Sequence, residues 1–257
     1  MPKKAKMPER LFHYTSQSGL LGICSSKKIW ATNLLYLNDR HEFSHATRMA
    51  QIILMRTLSN SDYMKLSLSQ SYGSKFMCST PDIGVFVTSF SEIGDLLSQW
   101  RGYCGAESGY SIGFDFSSLS EIAVANQMKF VKCIYDEEEQ QKILKKIIDE
   151  VLEKNSLIDE ETVDSVGEEI FKAVYLAASI FKDKAFEEER EWRVVSEVFS
   201  LKDYRTQFRT AKSTIVPFID VSLNDTENCM GIKQIIVGPT PEENLGSLAV
   251  DKATLVL

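Results

Sequence analysis

Residues 187–195 read Glu-Glu-Glu-Arg-Glu-Trp-Arg-Val-Val, a charged run that passes into aromatic and β-branched residues. Such a passage is where a helix hands over to a strand. If the backbone is extended from Glu189 onward, Glu189, Glu191 and Arg193 share one face, and Arg190, Trp192 and Val194 share the other. Two carboxylates beside a guanidinium form either a solvated ion-pair surface or the wall of a polar cleft. A second group of interest is His13, on the alternating stretch Leu-Phe-His-Tyr-Thr at residues 11–15, where it shares a face with Leu11 and Thr15. A third is His41-Glu42-Phe43-Ser44-His45, which matches H-E-x-x-H, two zinc ligands one helical turn apart with a glutamate as base. That motif directly follows the helix-start signal Asn38-Asp39, so both histidines fall in fraying first turns, and no further histidine follows them. No metal is favoured on this ground, and the zinc hydrolase remains a third choice.

The elements that must position these residues follow from periodicity. Strands are expected at 11–15, 29–33, 85–90, 110–116, 128–135, 192–199, 213–221, 232–237 and 253–257. Ser16 can cap a brief helix carrying Leu20, Leu21 and Ile23. Helices are expected at about 40–58, 95–101, 136–154 and 160–187, the third carrying Ile143, Leu144, Ile147, Ile148, Val151 and Leu152 on one side. The Ser-rich stretch 59–79 reads as a further helix or an irregular connection. Strands cluster at both ends of the chain with helices between them and no βαβ alternation, which predicts an α+β fold with mixed or antiparallel sheets. The expected organisation is a flexible leader at 1–10 and a single domain at 11–257, with a helical segment at about 136–187.

Composition sets the outer limits. The chain has 257 residues, 44% of them hydrophobic and 10% aromatic, enough for a substantial core. A net charge of −7 argues against general electrostatic attraction to nucleic acid or anionic lipid. No apolar run approaches the roughly 18–20 residues needed to cross a bilayer, and the basic start lacks the apolar region of a signal peptide, so the expected location is cytoplasmic. Five cysteines without a C-x-x-C pair suggest buried thiols rather than a disulfide framework or zinc ribbon.

Four segments resemble the DUF2971 family of uncharacterised bacterial proteins. They are Leu-Phe-His-Tyr-Thr-Ser at 11–16 with Gly-Leu-Leu-Gly-Ile at 19–23, and Leu-Asn-Asp-Arg-His-Glu-Phe at 37–43, where Arg40 stands in place of the family's usual proline. Next comes a central block of Ser-Phe-Ser-Glu at 89–92, Leu-Ser-Gln-Trp-Arg-Gly-Tyr at 97–103 and Gly-Tyr-Ser-Ile-Gly-Phe at 109–114. The last is Lys184 with the E-x-E-W-R signature at 189–193. The order of these parts is in turn remotely similar to ADP-ribosyltransferases, with an early strand bearing H-x-T, a central aromatic and serine block, and a late strand bearing glutamate.

That second resemblance implies a split-sheet core and NAD as co-substrate, in a toxin or phage-defence effector modifying nucleic acid or protein. It assigns His13 and Thr15 to the nicotinamide ribose and Glu191 to the ribose 2′-hydroxyl, with Tyr36, Trp100 and Tyr103 all eligible as the stacking aromatic. Cleavage of the nicotinamide bond builds positive charge on the ribose, which a fixed carboxylate stabilises; Glu191 is the candidate for that role. Glu189 would orient the acceptor or take its proton, and Arg101 or Arg193 would pair with the pyrophosphate. The alternative is a non-catalytic nucleotide- or partner-binding module in which Glu189 and Glu191 only pair with Arg190, Arg193 or Lys184.

Overall fold

In the computed structural model, which describes residues 7–37, 40–57, 63–77, 82–104, 109–155, 157–211, 213–224, 231–240 and 248, strands from both ends of the chain meet in one antiparallel sheet. β1 (Arg10–Ser16) comes first and covers the strand expected at 11–15, with Arg10 alone falling in the stretch expected as leader. Ser16 then caps α1 (Gln17–Ser26) by accepting the Gly19 N–H at 3.1 Å, and Lys27 ends that helix with a left-handed φ of 53°. β2 (Lys28–Asn33) follows, then a 3-10 turn (Leu34–Tyr36), α2 (Arg40–Thr57) and α3 (Tyr63–Met77). Next come β3 (Ile83–Gly84), β4 (Phe86–Ser91), α4 (Leu97–Tyr103) and β5 (Gly109–Asp115). α5 (Phe116–Ala125), absent from the sequence expectation, leads into β6 (Lys129–Lys132). α6 (Glu137–Lys154) matches its expected span, with Asp136 accepting the Glu139 N–H at 2.8 Å and three glutamates complementing the first turn.

α7 (Val163–Ala178) corrects an expectation: the helix ends well before residue 187. Residues 179–189 contain good helix formers, yet Phe181 bridges Ile134 in parallel and the Lys182 N–H bonds the Ile134 carbonyl at 3.1 Å, so tertiary pairing captures the segment. A 3-10 turn (Lys184–Glu189) and a left-handed Arg190 then deliver the chain into β7 (Glu191–Val195). β8 (Phe199–Ser200) pairs with β3 in a separate small sheet, so the strand expected at 192–199 is broken in two. β9 (Gln207–Thr210), also unforeseen, β10 (Ile215–Ser222) and β11 (Ile232–Val237) complete the main sheet. The strand expected at 253–257 lies outside the described residues, as do Asn38, Asp39 and the side chains of His41 and Glu42.

The sheet turns on β4. One edge of β4 pairs with β7 along its length, from Val87↔Val195 to Ser91↔Glu191. Its other edge is divided: β1 takes the far end at Phe12↔Ser91, and β2 takes the near end at Phe86 and Val87. The sheet therefore forks, with β1, β5 and β11 on one arm and β2, β10 and β9 on the other. Two apolar clusters fix this geometry. Val87 and Val195 pack under Leu144, Ile148, Ile170, Val174 and Tyr175 of the helical segment. On the opposite face Leu11, Phe90, Phe114, Trp192 and Val194 pack with Leu119 and Ile122 of α5. No described helix is long and apolar enough to cross a membrane.

Candidate active site at the fork of the sheet

Between Val87 and Ser91 the divided edge of β4 meets neither arm in register, and a cavity of about 750 Å³ opens there. Its wall includes His13, Thr15, Ser89, Ser91, Gln99, Tyr103, Glu189 and Glu191. Strand alternation places Glu191 on the face of Ser89 and Ser91, whereas His13 belongs to the opposite face with Leu11 and Phe90. Residues of both faces nevertheless line the one cavity at the gap, His13 and Glu191 among them.

His13 bridges the opening. Its Nδ1 lies 3.0 Å from the Ser89 carbonyl; a carbonyl only accepts, so Nδ1 carries the proton and Nε2 of the neutral ring is left as an acceptor. Burial lowers the pKa of this imidazole against the opposing pull of the Ser89 bond, keeping the neutral form at pH 7. Thr15 is braced by α1. A β-carbon at Gly19 would lie 2.0 Å from Thr15 Oγ1, so glycine is what lets the helix approach. Gly19→Ala is therefore expected to cost about 1–3 kcal/mol of stability by displacing Thr15. Gly22→Ala in the same helix, with open space around it, should be neutral or gain up to about 1 kcal/mol. Urea denaturation of both variants reads the contrast.

The carboxylates sit in a buried charge cluster. Lys182, 4% exposed, donates its ammonium to Glu189 Oε2 and, at 2.5 Å, to Glu191 Oε2. Arg193, 1% exposed, donates Nε to Glu191 Oε1 at 2.6 Å and Nη1 to the Ser179 carbonyl at 2.7 Å. Burial alone would raise the Glu191 pKa, but the charges of Arg193 and Lys182 override it and hold the carboxyl at about 2. The backbone is pinned as firmly: the Glu191 N–H donates to Tyr135 Oη at 2.8 Å, its carbonyl accepts from the Cys133 N–H, and Ser91 Oγ donates to the Glu189 carbonyl at 2.7 Å. Arg190 between them has φ 44°, ψ 52°, a left-handed conformation costly for a residue with a β-carbon, which takes Glu189 off the strand while both carboxylates still reach one ammonium.

Of the residues singled out by sequence, the structure brings His13, Thr15, Tyr103, Glu189 and Glu191 to one cavity. Tyr103 is 49% exposed. Trp100 is placed elsewhere: it packs edge-on against Tyr14 with its Nε1 on Asp95 at 2.7 Å, while its neighbour Gln99 reaches the wall. Tyr36 and Arg101 are exposed and off the lining, although Leu37, next to Tyr36, is on it. Arg193 is spent on Glu191 and Ser179, so a direct contact with a pyrophosphate does not fit its position. Lys184 is exposed in the 3-10 turn. Lys182 escaped the sequence reading altogether, since a lysine among helix formers carries no sign that it will be turned inward. His45 is 3.7 Å from Glu137 at the surface, and among the described residues no three metal-ligating side chains converge.

The family model described as "Protein of unknown function (DUF2971)" matches residues 99–194, from α4 through the E-x-E-W-R signature to β7. The matched stretch thus contains the whole buried charge cluster, while His13 and Thr15 precede it. No curated protein and no solved structure matches the chain.

Proposed function

We propose that the forked cavity binds NAD and that the chain is an ADP-ribosyltransferase-like enzyme or NAD glycohydrolase, with Glu191 and His13 at the reacting ribose. The observation that carries this reading is the convergence of His13 from β1 and Glu191 from β7 on one cavity, with the half-exposed Tyr103 also on its wall. A volume of about 750 Å³ lies in the range of small-molecule and cofactor sites. When bound, NAD supplies a ribose that gains positive charge as the bond from its C1′ to nicotinamide breaks and the electron pair departs with nicotinamide. The ionised Glu191 faces that charge at neutral pH, because its two cations hold it deprotonated. A carboxylate offers about four lone-pair sites. The two cation bonds to Glu191 therefore leave acceptor capacity for a ribose hydroxyl. His13 Nε2 supplies a second acceptor, and Glu189 takes the proton from the acceptor group, or from water, as its new bond to C1′ forms.

Nicotinamide release from NAD, measured by chromatography with and without candidate protein and nucleic-acid acceptors, tests this reading. Glu191→Gln is expected to lower the rate about 100-fold or more, and His13→Ala about tenfold. Equal release by wild type and both variants, each with an unchanged circular dichroism spectrum, would overturn it. Glu191 carrying a cation on each oxygen favours a second reading, a site that binds nucleotide without turnover. NAD binding with no release by wild type selects that one.

A further inference from the structure

The cavity has another end, on the arm of β2, β10 and β9, that the transfer chemistry leaves unused. Trp30, Thr32 and Arg209 line it there, together with Lys28 and Asp220. Register puts them on one face, with Trp30 opposite Asp220, Thr32 opposite Phe218, and Arg209 opposite Val216. Arg209 stretches from the outermost strand across that face. Its Nη2 donates to Thr32 Oγ1 at 3.2 Å, and its guanidinium carbon stands 5.4 Å from the centre of the Trp30 ring, within cation–π range. Its Nε is buried without a partner, and among the described residues no carboxylate forms an ion pair with it. Asp220, the acid on the same face, is engaged by Lys28 at 2.9 Å and Gln207 at 3.1 Å.

This is an unusual pair of surfaces to leave beside open space. A partly desolvated cation with spare donors and no counter-charge is unfavourable until an anion reaches it. Trp30 is 51% exposed, whereas Trp100 and Trp192 are both buried, so the one open indole of the chain stands beside the one described arginine that lines the cavity. A guanidinium fork matches phosphate oxygens, and an indole face matches a heteroaromatic base. We propose that the Trp30–Arg209 wall binds a nucleoside phosphate, the guanidinium taking the phosphate oxygens and the indole lying against the base. Only binding is required, so the assignment is independent of NAD cleavage at Glu191.

The test titrates the full chain separately with ADP, adenosine and pyrophosphate, following tryptophan emission and heat. ADP is expected to bind and quench emission, with adenosine and pyrophosphate each at least tenfold weaker. Arg209→Gln should weaken ADP at least tenfold and Arg209→Lys less, since lysine keeps the charge but loses the fork. Trp30→Phe should abolish the quench and leave a weaker heat signal. Nicotinamide release from NAD by wild type is read in parallel, and ADP binding that responds to Arg209→Gln while no nicotinamide is released separates failure of the enzymatic reading from failure here. Absence of ADP binding, or equal ADP affinity in wild type and a folded Arg209→Gln, would overturn the proposal. So would adenosine or pyrophosphate matching ADP.

Discussion

Arg193→Met is expected to cost about 3–5 kcal/mol of unfolding free energy, enough to remove much of a typical domain's stability. The side chain is fully enclosed, and its guanidinium serves two groups: the carboxylate of Glu191, itself only 4% exposed, and the carbonyl of Ser179 just beyond α7. Methionine fills much of the space but satisfies neither. The carboxylate would keep only Lys182, which Glu189 shares. Urea denaturation followed by circular dichroism measures the loss, and a loss below about 1 kcal/mol would show that the cluster relaxes by admitting water. Lys182→Met is expected to cost less, because Glu191 retains Arg193.

Stability should also fall steeply on the acid side, and Glu191 should account for much of the fall. Its folded pKa of about 2 lies below the unfolded value of roughly 4.3. A depressed carboxylate pKa stabilises the fold fully above the unfolded value, and that contribution disappears as pH drops toward the folded one. The difference corresponds to about 3 kcal/mol, lost between roughly pH 4.3 and 2. Urea midpoints taken from about pH 5 to about pH 3 should therefore decline in the wild type. They should decline with a visibly shallower slope in Glu191→Gln, which has no such proton to bind. Parallel slopes would mean that Glu191 is not held ionised by its two cations.

The parts of this molecule legible in its sequence are those governed by local periodicity. α6 announced itself through its apolar stripe and acidic first turn, and the alternation Trp192-Arg193-Val194 marked β7 and placed Glu191 and Arg193 on one face. Non-local pairing was not legible. The bridge Ile134↔Phe181 cut α7 short against its own helix propensity and turned Lys182 inward, and nothing near Lys182 in the sequence foretells it. α5 and β9 were missed because ten residues with a weak apolar pattern and four mostly exposed residues carry little periodic signal. Trp30 and Arg209 meet only through β10, which pairs with both their strands. Of the three aromatics left open by the sequence, Trp100 faces inward and Tyr103 lies on the cavity wall, a difference in burial that spacing does not carry.

The divided edge of β4 also has a mechanical meaning. Each arm is stitched to the same strand over only one or two residue pairs, so around the gap the ladder that normally makes a sheet stiff is missing several rungs. His13 supplies one improvised rung through Ser89. A molecule long enough to touch Glu191 at one end and Arg209 at the other would supply the rest, acting as a cross-brace between the arms. Occupancy of the cavity and rigidity of the sheet then become a single quantity, readable as slowed hydrogen exchange along β1 and β2 on binding.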